Sequence, residues 1–355
     1  MIRIAVDAMG GDYAPREVVH GAVLAAQEYG VAIQLVGPPE AVQQELNRHK
    51  TSGLDITLVP ASEVVTMDEN PTRAVVKKKD SSISVATRQI AEGNAQAVVA
   101  AGSTGAAAAA AQLLLGRIAN VDRAPIAAMM PTIDPDRKAL VVDVGANKDC
   151  DAKMLFQFAL MGSVLFEGLF DVKNPRVGLL NIGTEESKGT KLVQDAYKLL
   201  KDTDKINFIG FVEGRDFPIG KVDVTVTDGF TGNCVLKASE GIARMMSVIL
   251  KQELKASVRT KIAAKMAEPA LLQIKKRVDH NELGGALLLG VKGVYVIAHG
   301  GSKHTAIKNA IRVARDMVKA DIVRKIEQTL ALVTAGVMGL LTAGLLATMS
   351  AGVLS

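Results

Sequence analysis

Tryptophan is absent from this chain of 355 residues, and aromatic residues make up only 3% of it. That scarcity removes the stacking platforms that hold single-stranded nucleic acids, and no nucleic-acid-binding module signature is present. Two cysteines, Cys150 and Cys234, are too few for a disulfide framework. Both sit beside polar turns and read as inert thiols rather than reactive ones. The five histidines, His20, His49, His280, His299 and His304, show no metal-ligand spacing, so no metal is expected. No Gly-x-Gly-x-x-Gly fingerprint follows the first apolar run, and no Walker A order occurs, which disfavours dinucleotide or ATP cradling. A basic-then-apolar leader is also missing, which predicts no secretory signal peptide. Charge is missing from Thr329 to Ser355, a stretch of 27 residues.

What is present is a repeated device. Apolar runs end in glycine plus a small polar residue, and a helical pattern follows. Ile2–Val6 runs into Asp7-Ala8-Met9-Gly10-Gly11-Asp12, with Pro15 opening a helix. Val98–Ala101 runs into Gly102-Ser103-Thr104-Gly105, and Leu140–Val144, including Asp143, into Gly145-Ala146-Asn147. Val222–Thr227 runs into Asp228-Gly229-Phe230-Thr231-Gly232-Asn233, and Gly293–Ala298 into His299-Gly300-Gly301-Ser302. The richest case is Val177–Gly183 followed by Thr184-Glu185-Glu186-Ser187-Lys188-Gly189-Thr190. A strand, a Gly-rich turn with a lysine, and a helix N-terminus make an anion site, since the free N–H groups and the macrodipole favour negative charge there.

Strands alternating with helices predict an α/β fold with a largely parallel sheet, as one unit or two lobes. Ligands of such a sheet bind outside the carboxyl ends of its strands, where these turns are expected to converge.

Two segments stand apart. Between Lys251 and Arg277, eight basic residues face two acidic ones, a net of +6 in a chain whose net charge is +5. Leu250, Leu254, Val258, Ile262 and Met266 form an i, i+4 stripe there, broken at Pro269. This predicts a basic amphipathic helical hairpin over 250–277, suited to an acidic protein or an anionic membrane surface. The uncharged tail 329–355 is long enough as a helix to cross a bilayer, or to pack on protein. Residues 1–328 form the remaining region.

The segments Asp7–Pro15, Ala101–Ala106, Asp143–Asn147, Leu180–Gly189, Phe208–Asp216, Asp228–Asn233 and Glu282–Gly285 with Leu288–Val291 resemble, in order, the PlsX-type phosphate acyltransferases. Ser103, Leu287 and Gly301 depart from the family pattern, and the apolar tail is unlike the family's usual charged end. The resemblance implies a fold similar to phosphotransacetylases and isocitrate dehydrogenases, and a homodimer. It implies transfer of a long-chain acyl group from acyl-carrier protein to inorganic phosphate. The acyl phosphate would pass to a membrane glycerol-3-phosphate acyltransferase. A cytoplasmic, peripherally membrane-associated enzyme without cofactor follows. Phosphate is already a nucleophile, so the needs are a cation, oxyanion donors and orientation. Lys188 supplies charge, and Asn233 can donate to the oxyanion or to phosphate. His299 can protonate the leaving thiolate or bind phosphate. Ser103, Thr104 and Thr231 offer hydroxyls, and Asn147 with Gly10 and Gly11 completes the binding turns. Gly102, Gly232 and Gly300 allow close backbone approach. Asp7, Asp12 and Asp143 read as loop organisers. A coenzyme-A-dependent phosphotransacylase, a dehydrogenase of related fold and a non-catalytic membrane-recruitment scaffold are the rival readings.

Overall fold

The run Ala97–Ala101 is buried at every residue, and so is Val294–Ala298. Continuous apolar strands of this kind need helices on both faces, as in a parallel sheet. The computed structural model describes residues 1–278 and 284–334. Its strands are β1 (Arg3–Asp7), β2 (Ala32–Gly37), β3 (Ile56–Pro60), β4 (Ala97–Ala101), β5 (Ile126–Pro131) and β6 (Lys138–Val142). They continue as β7 (Arg176–Leu180), β8 (Asn207–Val212), β9 (Val224–Val226), β10 (Ala286–Leu288) and β11 (Val294–Ala298). One sheet joins them in the order β3-β2-β1-β4-β11-β10-β5-β6-β9-β7-β8.

The sheet holds two parallel blocks, β3-β2-β1-β4-β11 and β6-β9-β7-β8. Three antiparallel pairings, β11–β10, β10–β5 and β5–β6, lie between them. Three reversals make the blocks point opposite ways. This corrects the expectation of one shared carboxyl edge. The turns after β1, β4 and β11 lie at one edge, and those after β6, β9 and β7 at the other.

Apolar helix faces fill both sides. The helix Ala152–Phe170 buries Leu155, Phe158, Leu160, Met161 and Leu165 against the second block. It is the one described helix long and apolar enough to cross a bilayer, and these contacts make it a core helix. The helices Arg16–Tyr29 and His304–Lys319 pack together beneath the first block.

The basic segment differs from its expected form. One helix runs Gly229–Lys255, and Val258–Met266 and Glu268–Val278 follow. One break falls just before Pro269, as expected, and a second at Ser257, where a capping box with Thr260 starts a new helix. Pro269 occupies the first turn of the last helix, where its missing N–H costs nothing. The expected stripe therefore straddles two helices, and Leu250, Val258, Ile262 and Met266 are all exposed.

In the helix over 322–334, Ile322, Ile326 and Leu330 are buried. Residues 335–355 of the tail, and Glu282 and Leu283 of the matched segment, lie outside the described residues.

Candidate active site

Asn233 owes its position to the loop that follows β6. Asp143 is fully buried, and its carboxylate accepts from the backbone N–H of Ile126, Gly145 and Ala146 at 3.0 Å each. It also accepts from Asn147, through the backbone at 2.7 Å and the side chain at 2.8 Å. The helix Gly229–Lys255 begins against this loop, with Gly229 N–H donating to the Asn147 carbonyl at 2.8 Å. A Cβ on Gly232 would overlap the Asp143 carbonyl, so the close approach predicted for this glycine is to backbone. Asp228 caps the helix by accepting from Thr231 N–H at 2.8 Å, and the Thr231 hydroxyl donates back at 2.7 Å. Thr231 thus spends its hydroxyl on the cap. Asn233, one residue past Gly232, emerges exposed beside Gly145.

A cleft of about 260 Å³ opens there, over the antiparallel joint. Ile126, Ala128, Met129, Ala286 and Ile297 give it apolar walls. Polar groups enter from both blocks: Thr104, His299 and Ser302 from the first, Gly145 and Asn233 from the second. His299 Nδ1 accepts from Gly301 N–H at 3.1 Å, which orients the ring.

Sequence reasoning missed Ser302, Lys237 and Glu240, which also line the cleft. The signal for Lys237 was available, because a residue four after Asn233 on a helix shares its face. Lys237 pairs with Glu240 at 2.8 Å.

The turns after β1 and β4, with the β11 turn bonded to the first of them, flank a second cavity of about 210 Å³. It is lined by Asp7, Gly10, Gly11, Asp12, Gly102 and Ser103, with Met9, Met67 and Ile83. Asp12 N–H donates to the Gly300 carbonyl at 2.9 Å, and a Cβ on Gly10 would overlap the Ala101 carbonyl. Ser103 Oγ caps the helix Thr104–Ala110 by accepting from Ala106 N–H at 3.2 Å. Asp7 accepts from Met9 N–H at 3.1 Å, and burial pushes its carboxyl up to about 6.

Lys188 lines neither cavity. It pairs with Glu185 at 3.3 Å, and both are about half exposed. Asn181 shapes its loop, donating to the Lys188 carbonyl at 3.2 Å and accepting from Ile182 N–H at 2.8 Å. Thr190 caps the next helix, accepting from Val193 N–H. The sheet order nonetheless sets β7 beside β9 and β9 beside β6. The loops bearing Lys188, Asn233 and Gly145 therefore leave neighbouring strand ends at one edge.

Cys150 is half-buried, and burial pushes its thiol up to about 12, which leaves little thiolate. Cys234 is exposed.

A family model described as "Fatty acid synthesis protein" matches residues 2–325. A phosphate acyltransferase of Heliobacterium modesticaldum is 51% identical over 330 residues, covering 92% of this chain and 97% of the relative. One from Desulfitobacterium hafniense is 47% identical over 336 residues, covering 94% and 99%. Among solved structures, a phosphotransacetylase from Streptococcus pyogenes superposes with a TM-score of 0.57 at 16% identity, over 93% of this chain and 94% of that one. A EutD phosphotransacetylase from Staphylococcus aureus gives 0.55 at 16%, over 89% and 94%. The two structures share the fold.

Proposed function

Because the chain belongs to the fatty acid synthesis protein family and is an acyltransferase, we propose that it moves a long-chain fatty acyl group from acyl-carrier protein to inorganic phosphate. A phosphate oxygen attacks the thioester carbonyl carbon. The carbon–sulfur bond breaks, the phosphate proton passes to the leaving sulfur, and acyl phosphate and free carrier thiol result.

The supporting observation is the placement of Asn233. It lines the apolar cleft with His299, and its strand end adjoins that of the Lys188 loop. The acyl thioester lies along the apolar walls. Asn233 donates to the developing oxyanion, a role worth several kcal/mol elsewhere. His299 delivers the proton to sulfur. Lys188 exchanges Glu185 for phosphate, at little expense because exposed ion pairs contribute only about 0–1 kcal/mol. Lys237 adds a second positive charge from inside the cleft.

Release of carrier thiol from palmitoyl-carrier protein should depend on phosphate. Lys188→Ala and Asn233→Ala should each lower that rate at least ~10²-fold with melting unchanged. Near-wild-type rates in both variants would sink the assignment. Reaction with acyl-coenzyme A alone would turn the reading to a coenzyme-A-dependent phosphotransacylase.

The same helix carries the partner reading. Ile242, Met245, Met246, Ile249 and Leu250 are exposed along Gly229–Lys255, and a second copy of the chain covers them in a homodimer. Lys261, Lys265 and Lys275 on the two following helices meet the acidic carrier protein or an anionic membrane surface. The enzyme then works in the cytoplasm, at the membrane, handing its product to a glycerol-3-phosphate acyltransferase. Reversing those lysines to Glu should weaken both kinds of binding, and wild-type binding should fall with salt. Salt-independent binding unchanged by the reversal would exclude this role.

A further inference from the structure

Three histidines without metal-ligand spacing in sequence meet in the fold. His20 stacks between His49 and His304, with ring centroids 4.8 Å and 4.3 Å apart. His20 lies in the helix Arg16–Tyr29, His304 opens the helix His304–Lys319, and His49 follows the helix Pro39–Leu46. Gly21 permits the approach, since a Cβ there would lie 2.6 Å from the His304 carbonyl oxygen and from Ile307 Cβ. Glu17, three residues before His20 on the same helix face, closes the group. Its Oε2 accepts from His304 N–H at 3.0 Å and lies 2.7 Å from His304 Nδ1. Arg16 holds the other oxygen at 3.0 Å. One ligand atom from each of Glu17, His20 and His304 lies within 4.8 Å of the others.

We propose that Glu17, His20 and His304 bind one zinc-type divalent ion, with water as the fourth ligand. Two imidazoles and a carboxylate are a familiar three-residue zinc set. Nitrogen donors disfavour magnesium and calcium, which take oxygen shells. Ligand atoms around a tetrahedral zinc are roughly 3.3 Å apart, so the group contracts by roughly 1.5 Å at its widest when the ion enters. The backbone N–H of His304 and Arg16 orient the carboxylate from outside the site, as supporting groups do in metal centres.

None of these residues lines the 260 Å³ cleft, so the ion takes no part in acyl transfer. Its place gives it another role. His304 follows the His299–Ser302 turn, the Glu17 helix follows the Asp7–Asp12 turn, and Asp12 already donates to Gly300. An ion across the two helix starts clasps these turns from behind.

The test titrates the chelator-treated full chain with Zn²⁺ and with Co²⁺, following visible absorption for Co²⁺ and the melting temperature for both. One ion per chain, tetrahedral cobalt bands and a raised melting temperature are expected. Glu17→Gln and His20→Ala should each weaken binding at least roughly 100-fold, while His299→Ala should retain it. His20 is only partly buried, so its removal remains informative even if loss of His304 disturbs the helix pair. Absence of binding at micromolar zinc, or binding unaffected by His20→Ala, overturns the proposal.

Discussion

Two long helices of this chain carry similar apolar side chains and meet opposite fates. The helix Ala152–Phe170 buries ten of its 19 residues, whereas the helix Gly229–Lys255 buries only Gly229 and Gly232 of its 27. Composition separates them in part, since the first carries two charged residues and the second six. Attachment separates them further. The first lies across β6 and β9, and Gly162 allows contact with Val224 and Val142. The second touches the fold at its first turn, where Gly229 and Gly232 lock onto the Asp143–Asn147 loop, and then leaves it. A buried apolar face stabilises its own chain, and an exposed one of this length stabilises an association. The second helix thus has a base beside the cleft and a shaft whose apolar side chains this chain leaves uncovered.

The largest expected effect breaks the core member of the pair. Phe158 is fully buried, and Phe158→Ala should cost about 3–5 kcal/mol of unfolding free energy. Met246, more than half exposed on the shaft, should cost under about 0.5 kcal/mol when changed to Ala in a dilute, monomeric sample. Equal losses in denaturant titrations would show that the shaft is packed as the core is.

Parts of the strand framework were legible in the sequence. The ends of β1, β4 and β11 fell within a residue of their expected places, because a buried strand must end where a glycine turn begins. The antiparallel joint was not legible. Ile126–Pro131 is a short apolar run, which periodicity cannot assign to strand or helix, and β10 has only three residues. Without that joint, opposed strand directions could not be foreseen, nor the cleft that straddles them. Glycines were read as places of close approach, and at Gly10 and Gly232 the group that approaches is the chain's own backbone. The histidine stack left no local trace, since its members come together only when two helices cross at Gly21.

Asp7 sharpens the contrast from the core side. Its folded-state pKa of about 6 lies above the ordinary value of 3.8, so the native state holds the proton longer than the unfolded chain. Stability therefore falls as pH rises from about 4 to about 6, then levels. Asp7→Asn keeps an acceptor for Met9 N–H and removes the titration. Unfolding measured across that window should show the wild type losing stability relative to the variant. Parallel curves would mean that the carboxylate is better solvated than its burial implies.

On the shaft, Ile242→Glu with Ile249→Glu places charge on the exposed apolar face. Monomer stability should be nearly unchanged, while self-association followed by sedimentation should weaken at least roughly tenfold, as when a contact residue worth more than 1 kcal/mol is lost. Unaltered association would assign that face to something other than a second copy.

The smallest effect belongs to the base of the shaft. Lys237 lies one turn beyond Asn233, and its ion-pair partner Glu240 lies one turn further on. The pair is partly exposed, so Lys237→Ala should change stability by less than about 1 kcal/mol. Its charge faces the cleft, while Lys188 stands on the neighbouring strand-end loop. If Lys188 engages the phosphate as it reacts and Lys237 only draws it in, the two substitutions differ in kind. Lys188→Ala lowers kcat. Lys237→Ala raises KM for phosphate several-fold, leaves kcat nearly intact, and becomes hard to detect at high salt, where a screened charge contributes little. A loss of kcat at Lys237 equal to that at Lys188 would move the phosphate into the cleft itself and make the shaft's first two turns, rather than the exposed loop, its principal binding surface.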